Sequence, residues 1–374
     1  MTGQELPPAI RYIPLVPRPR PPALPLRQRL TELNGLVHKA DQAPNPEEGM
    51  TRACEAMNKA ALVASDTGQP DLAEALCWQQ YDVFASAGPL TATTALLALQ
   101  PLVNLGRLAI RTGHPTAAHT VFESLLTATT PGQPAQVQGR TCPVADLVTS
   151  PSERTELRRF LWAVMLADGT RALCVADRWQ DAVEHLHRYN GIGTRLLDGR
   201  QVAVLAALHR QDPDAARILL EETVCNEPWE QAVAACLTTA SARMAGHDPA
   251  DVATAMARHL IELPPTPGGA VFAARAGVLA CELAPGHRAL VSHVIDAVMG
   301  SNDANAATAV LGSPVVGEEL SLRQRQTLRE RVRQAELVRA DQPASLTEEL
   351  TVICDQAATH LVCRLKHAYP HLTP

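Results

Sequence analysis

Aromatic residues are scarce: four Trp, four Tyr and four Phe make up only 3% of the 374 residues. A β-sandwich or barrel fills its interior with aromatic and β-branched side chains, so this shortage disfavours both. Lysine occurs only at Lys39, Lys59 and Lys366, and the net charge is -6. That balance argues against general affinity for nucleic acid, which is expected to be no partner. No uninterrupted run of about 18 apolar residues is present, which predicts no membrane-spanning helix and no membrane partner. The opening residues are broken by prolines and lack the apolar segment of a secretory signal. Nine cysteines, an odd number spread from Cys54 to Cys363, read as reduced thiols and predict a cytoplasmic location.

The strong catalytic signatures are also missing. There is no Walker loop, His-Glu-x-x-His, Gly-x-Ser-x-Gly or Cys-x-x-Cys, and no motif calls for a cofactor. Gly191-Ile-Gly193 begins like a dinucleotide loop but has Leu196 where the third glycine belongs, so it reads as a turn between helices. Glu184 and His187 have the spacing of a di-iron helix, but no second copy exists and a solvated helix face is the plainer reading. His360, Cys363 and His367 share one face of the last helix, with His371 beyond. Three ligands on one straight helix close a tetrahedron poorly, so no metal is expected.

What the chain does have is alanine, leucine and valine within 46% hydrophobic residues, punctuated by 29 prolines and 21 glycines. This composition favours closely packed helices. Eight prolines between residues 7 and 25, among them Pro14, Pro17, Pro19, Pro21, Pro22 and Pro25, prevent a helix there and favour an extended arm. Ile10, Tyr12, Ile13, Leu15 and Leu24 give that arm side chains with which to pack on a helical body.

From about Glu47 a hairpin pattern begins. Thr51–Ser65 and Asp71–Ala85 read as paired helices around Thr67-Gly68-Gln69-Pro70, where Gly68 suits a left-handed C-terminal residue and Pro70 a first turn. The turn recurs as Gly113-His-Pro-Thr-Ala-Ala118, and more weakly at Asp177–Ala182, Gln211–Ala216, Asp248-Pro249 and Ala284–His287. Ala182 to Ala216 is 34 residues and Asp212 to Asp248 is 36, the period of two-helix repeats.

With these features the chain resembles the tetratricopeptide-repeat superfamily. The family's small residue opening the second helix falls on Ala73, Ala118, Ala182 and Ala216; its following aromatic survives as Phe122, its earlier glycine as Gly106 and its closing proline as Pro228. Met57, Leu102, Leu166 and Arg200 stand where the family's first aromatic belongs. The 64 residues between Ala118 and Ala182 leave room for nearly two units. The resemblance implies an all-α solenoid of antiparallel helix hairpins over residues 46–300. The Pro-rich arm and a leading helix over 1–45 would precede it. Residues 301–374, holding a basic helix from Leu320 to Ala340 and a final helix from Leu346 to about Tyr369, would cap it.

The resemblance also implies that the first helix of each hairpin lines a concave groove. These helices carry Gln100, Asn104 and Arg107, then Trp162, Asp168 and Arg171, then Arg200 and Gln201, then Trp229 and Glu230, and a dense polar turn adds Arg195 and Asp198 ahead of Arg200. Polar and aromatic side chains on Ala/Leu helices face water, bind a ligand or pair internally, because burying them unpaired is costly. The expected function is a non-enzymatic regulatory module that binds a peptide or protein in its groove, similar to the partner-binding region of bacterial regulators. The alternative is an enzyme or accessory enzyme holding a small molecule inside the helical array.

Overall fold

Helix dominates because the turns stop helices at regular intervals and little in between favours strand. The computed structural model describes residues 5–18, 20–337 and 344–370. Two units emerge: one comprises Leu26–Asp177 with the stretch from Glu336 onward, the other the residues up to Pro25 with Arg178–Ala335.

The first unit begins with α1 (Leu26–Asp41), α2 (Pro46–Asp66), α3 (Pro70–Ala85), α4 (Ala92–Arg111) and α5 (Pro115–Thr127), each packed against the next. Asn45 and Thr91 cap α2 and α4 by accepting the N–H groups of Glu48 and Thr94. The turns after α2 and α4 place Gly68 and Gly113 at φ of 82° and 83°, where a side chain would be strained.

After α5 the chain departs from the repeat. A two-stranded hairpin, β1 (Ala135–Val137) and β2 (Arg140–Cys142), pairs Val137 with Arg140 across Gln138 and Gly139. One long helix follows as α6 (Pro151–Val164), a π-helical turn (Met165–Gly169) and α7 (Thr170–Val175). The 64-residue interval therefore holds this hairpin rather than a second repeat. Its position is fixed by Trp78 of α3, whose ring lies 4.0 Å from the Arg140 guanidinium and whose Nε1 donates to Gln138 at 3.1 Å.

The second unit contains α8 (Trp179–Arg188), α9 (Asp198–His209), α10 (Pro213–Glu221), α11 (Pro228–Met244), α12 (Ala250–Ile261), α13 (Ala270–Leu283), α14 (Arg288–Met299), α15 (Ala304–Leu311) and α16 (Leu322–Gln334). Neighbours again pair as hairpins, and Gln211 and Gly246 take the left-handed conformation at their turns. The basic helix is shorter than expected, and Arg339 and His371 lie outside the described residues. The last helix, α17 (Ala344–Ala368), belongs to the first unit, where it packs against α2, α1 and α3.

Both interiors are built from small aliphatic residues. In α2, Ala53, Ala56, Ala60 and Ala64 are all fully buried, and alanine at such positions lets helix backbones approach closely. Among the described residues α4 is the one helix long and apolar enough to cross a membrane by composition; 56% of its apolar window is buried inside the protein, as for a core helix. No disulfide joins any of the nine cysteines, all of which lie among the described residues.

The Pro-rich segment packs as part of the second unit. Its short 3-10 turn (Pro8–Tyr12) rests on α13, and Ala9, Ile10, Ile13 and Leu15 join the core formed by α9, α11 and α13.

Candidate functional site

In the first unit α2, α4 and α6 touch in succession, so side chains on their shared side can meet although they are far apart in sequence. Asn58 of α2 donates its Nδ2 to Gln100 Oε1 at 3.1 Å, and its Oδ1 accepts Asn104 Nδ2 at 2.8 Å. Asn104 Oδ1 in turn accepts Arg107 Nη1 at 3.3 Å. Arg107 places Nε and Nη2 on Asp168 Oδ2 at 3.0 and 2.8 Å. A single polar chain therefore runs from Gln100 to Asp168.

Two features of the backbone place its ends. Gln100, Asn104 and Arg107 follow one another at steps of four and three on α4, which keeps them on one face. Asp168 lies in the π turn, which packs against α5 and meets α4 through the Arg107 bonds. Thr170, just past that turn, is fully buried and its hydroxyl finds no partner among the described residues. The amides are half-buried and Arg107 is half exposed. Each amide nitrogen of Asn58 and Asn104 makes one of these bonds and keeps a second N–H.

The same surface extends through Asp66, which accepts Arg29 Nη2 at 2.7 Å and Arg111 Nη1 at 2.8 Å. Trp162 is 40% exposed on α6, and Arg171 is exposed on α7. The polar chain and Asp66 offer amide N–H and C=O groups, guanidinium groups and carboxylates. These are recognition groups, with no nucleophile beside a base among them.

The remaining sequence-derived residues lie in the second unit and have other duties. Glu230 is fully buried; its Oε1 accepts Arg195 Nε and Nη2 at 3.0 and 2.7 Å, and its Oε2 accepts the N–H groups of Asn226 and Glu227. Burial opposes ionisation here, but the two backbone N–H groups and Arg195 outweigh it and hold the carboxyl below its ordinary range. Arg200 is buried and ties α9 to Leu219 O, Thr223 Oγ1 and Glu222. Trp229 packs edge-on against Phe272 at 6.2 Å.

Gln201 and Asp198 hold the Pro-rich segment. Gln201, fully buried, accepts Leu15 N–H at 2.7 Å and donates to Leu15 O at 3.0 Å and Leu196 O at 3.1 Å. Asp198 Oδ2 accepts Arg18 Nη2 at 2.6 Å.

Sequence reasoning missed Asn58, the residue that links the polar chain to α2. Asn58 and Gln201 both stand 15 residues ahead of the small residue opening the second helix, at Ala73 and Ala216, so repeat position was the signal that could have found it. Also missed is a cleft of about 670 Å³ in the second unit, between the α11–α12 and α13–α14 turns, lined in part by Arg243, His247, Thr254 and His287. None of the twelve residues selected from the sequence lines it.

On the last helix, Cys363 Sγ meets His367 Nδ1 at 3.7 Å, while His360 Nδ1 lies 3.6 Å from Asp41. No three His, Cys, Asp or Glu side chains converge as a metal set among the described residues. No protein-family model matches this chain, and neither the curated proteins nor the solved structures contain a match to it.

Proposed function

We propose that this chain is a non-enzymatic, tetratricopeptide-like helical module that holds an extended peptide segment of a protein partner along the first helices of its hairpins. The supporting observation is the paired use of an amide at the same repeat position. Gln201 in the second unit clasps the N–H and C=O of Leu15, a residue outside helix and strand. Asn58 in the first unit, with Asn104 beside it, carries the same chemistry on a face that remains half exposed.

An extended backbone has unpaired N–H and C=O groups at regular intervals, and side-chain amides can satisfy both kinds. Arg107 and Asp168 at one end of the polar chain, with Trp162 on the same helix as Asp168, would add charge and stacking selectivity. In this reading the hairpins form a superhelix whose inner surface bears the polar chain. The enzyme reading has less support, because the polar chain is spread along a surface rather than converging in an enclosed pocket.

The test is selection of a displayed library of linear peptides against the full chain. Peptides should be enriched on the wild type and not on Asn58→Ala/Asn104→Ala protein of unchanged helicity. Equal enrichment on both would refute the assignment of the face, and no enrichment on either would refute peptide binding.

A further inference from the structure

The Pro-rich segment is held in a way unusual for part of a core. A core strand or helix satisfies its backbone through a ladder. This segment pairs Ile10 N–H with Pro7 O and Ile13 N–H with Ile10 O, and gives two further N–H groups to buried side chains of separate helices. Ala9 N–H goes to Glu282 Oε2 at 2.8 Å and Leu15 N–H to Gln201 Oε1 at 2.7 Å. Prolines at 7, 8 and 14 remove donors nearby, so few N–H groups need partners. Glu282 is buried on α13 with its other oxygen accepting Ser313 Oγ at 2.9 Å. A carboxylate and an amide buried on two apolar helices are costly unless something supplies their hydrogen bonds. What supplies them here is the backbone of Ala9, in the 3-10 turn, and of Leu15, beyond it.

Apolar side chains do the rest of the docking. Ile13 and Leu15 are each 4% exposed and Ile10 is 8% exposed. Tyr12 lies beneath the Arg275 guanidinium, 5.2 Å from its ring centre. At the exit Arg18 makes its ion pair with Asp198 while itself more than half exposed. Side-chain clamps on the backbone, apolar anchors and an exposed charged latch are the elements by which a helical groove holds a peptide.

We infer that Pro7–Leu15 is an internal ligand: the second unit carries a recognition site for a proline-flanked apolar peptide with a single 3-10 turn, occupied in cis by this segment and open to the same sequence supplied in trans. The inference shares with the proposed function the idea that the first helices hold peptides, but it concerns Gln201 and Glu282 rather than Asn58 and Asn104. In the intact chain the tethered segment competes at high effective concentration, so an external peptide binds well only once the tether is cut. A partner presenting this pattern would bind by displacing it.

The experiment uses the full chain with a protease recognition sequence inserted after Arg20. The probe is a fluorescein-labelled peptide with the sequence of residues 5–18, read by anisotropy. Cut protein should bind one peptide saturably, and uncut protein about tenfold or more weakly. A peptide N-methylated at Leu15, lacking the N–H that Gln201 accepts, should lose about tenfold or more, and this variant leaves the protein's folding untouched. Binding should persist in cut Asn58→Ala/Asn104→Ala protein, so the two readings fail separately. The inference is overturned if cut protein does not bind the peptide or unfolds when the segment leaves. It is equally overturned if N-methylation at Leu15, or shuffling the residues between the prolines, does not weaken binding.

Discussion

The same substitution, glycine to alanine, should have opposite effects at two helical positions of the first unit. At Gly106 on α4, an added Cβ would lie 2.4 Å from Cε1 and 2.6 Å from Cζ of Phe122. Carbon atoms pack at about 3.5–4.0 Å, so the ring would have to retreat by roughly 1 Å. Phe122 is 1% exposed and has nowhere to go. Overpacking of this kind costs about 1–3 kcal/mol, while replacing glycine in a helix interior returns about 1 kcal/mol. With two ring atoms well inside contact distance the steric cost wins, and Gly106→Ala should lose about 1–2 kcal/mol.

At Gly35 on α1 an added Cβ meets nothing within 4 Å and the residue is exposed, so Gly35→Ala should gain about 0.5–1 kcal/mol. Urea unfolding followed by far-UV circular dichroism measures both. Gly106→Ala combined with Phe122→Leu should cost less than the sum of the single changes, because the smaller side chain makes room for the methyl group. A Gly106→Ala protein as stable as Gly35→Ala would refute the packing argument.

Glu230 has a folded-state pKa below its ordinary value of 4.5, so the stability it contributes is present above that value and is lost as pH falls through the folded-state pKa. Glu230→Gln should therefore be less stable than wild type at neutral pH, with the difference shrinking in acid unfolding experiments below about pH 4.5. Cys363 is exposed, whereas burial pushes Cys77, Cys236, Cys281 and Cys354 up to about 12. A thiol reagent at neutral pH should modify Cys363 first, Cys174 and Cys225 more slowly, and all nine only in denaturant. Arg140→Ala should cost about 0.5–1 kcal/mol through loss of the cation–π contact to Trp78, and should shift the protein's tryptophan emission.

How much of this was legible in the sequence depends on how local the physics is. Gly68, Gly113 and Gly246 mark turns because their backbone conformation excludes most other residues. Gly106 and Phe122, two of the residues on which the resemblance to the tetratricopeptide pattern rests, touch each other, so the pattern at that point is a packing rule written in sequence. The β-hairpin was not legible. Its strands are three residues long, too short for alternation, and its turn is Gln138-Gly139 rather than the usual Asn-Gly or Asp-Gly. The return of α17 to α2 depends on contacts between residues some 300 apart, which no local pattern encodes.

The polar residues divide in the same way. Gln100, Asn104 and Arg107 could be placed on one face from their spacing alone. Arg200 and Glu230 look identical to groove residues in sequence, and only their partners show them to be internal ties. Gln201 shows the limit most clearly, since the residue it holds, Leu15, is 186 positions away.

The central claim is that the face bearing Asn58 and Asn104 takes an extended peptide. The most direct measurement is the affinity, by fluorescence anisotropy, of a library-selected peptide for two variants of equal helicity. One is Asn58→Ala/Asn104→Ala. The other is Gln79→Ala, which removes the Gln79–Asp355 hydrogen bond between α3 and α17. The account predicts about tenfold or greater weakening in the first and none in the second. Equal affinity for both variants, or weakening only in Gln79→Ala, would contradict it.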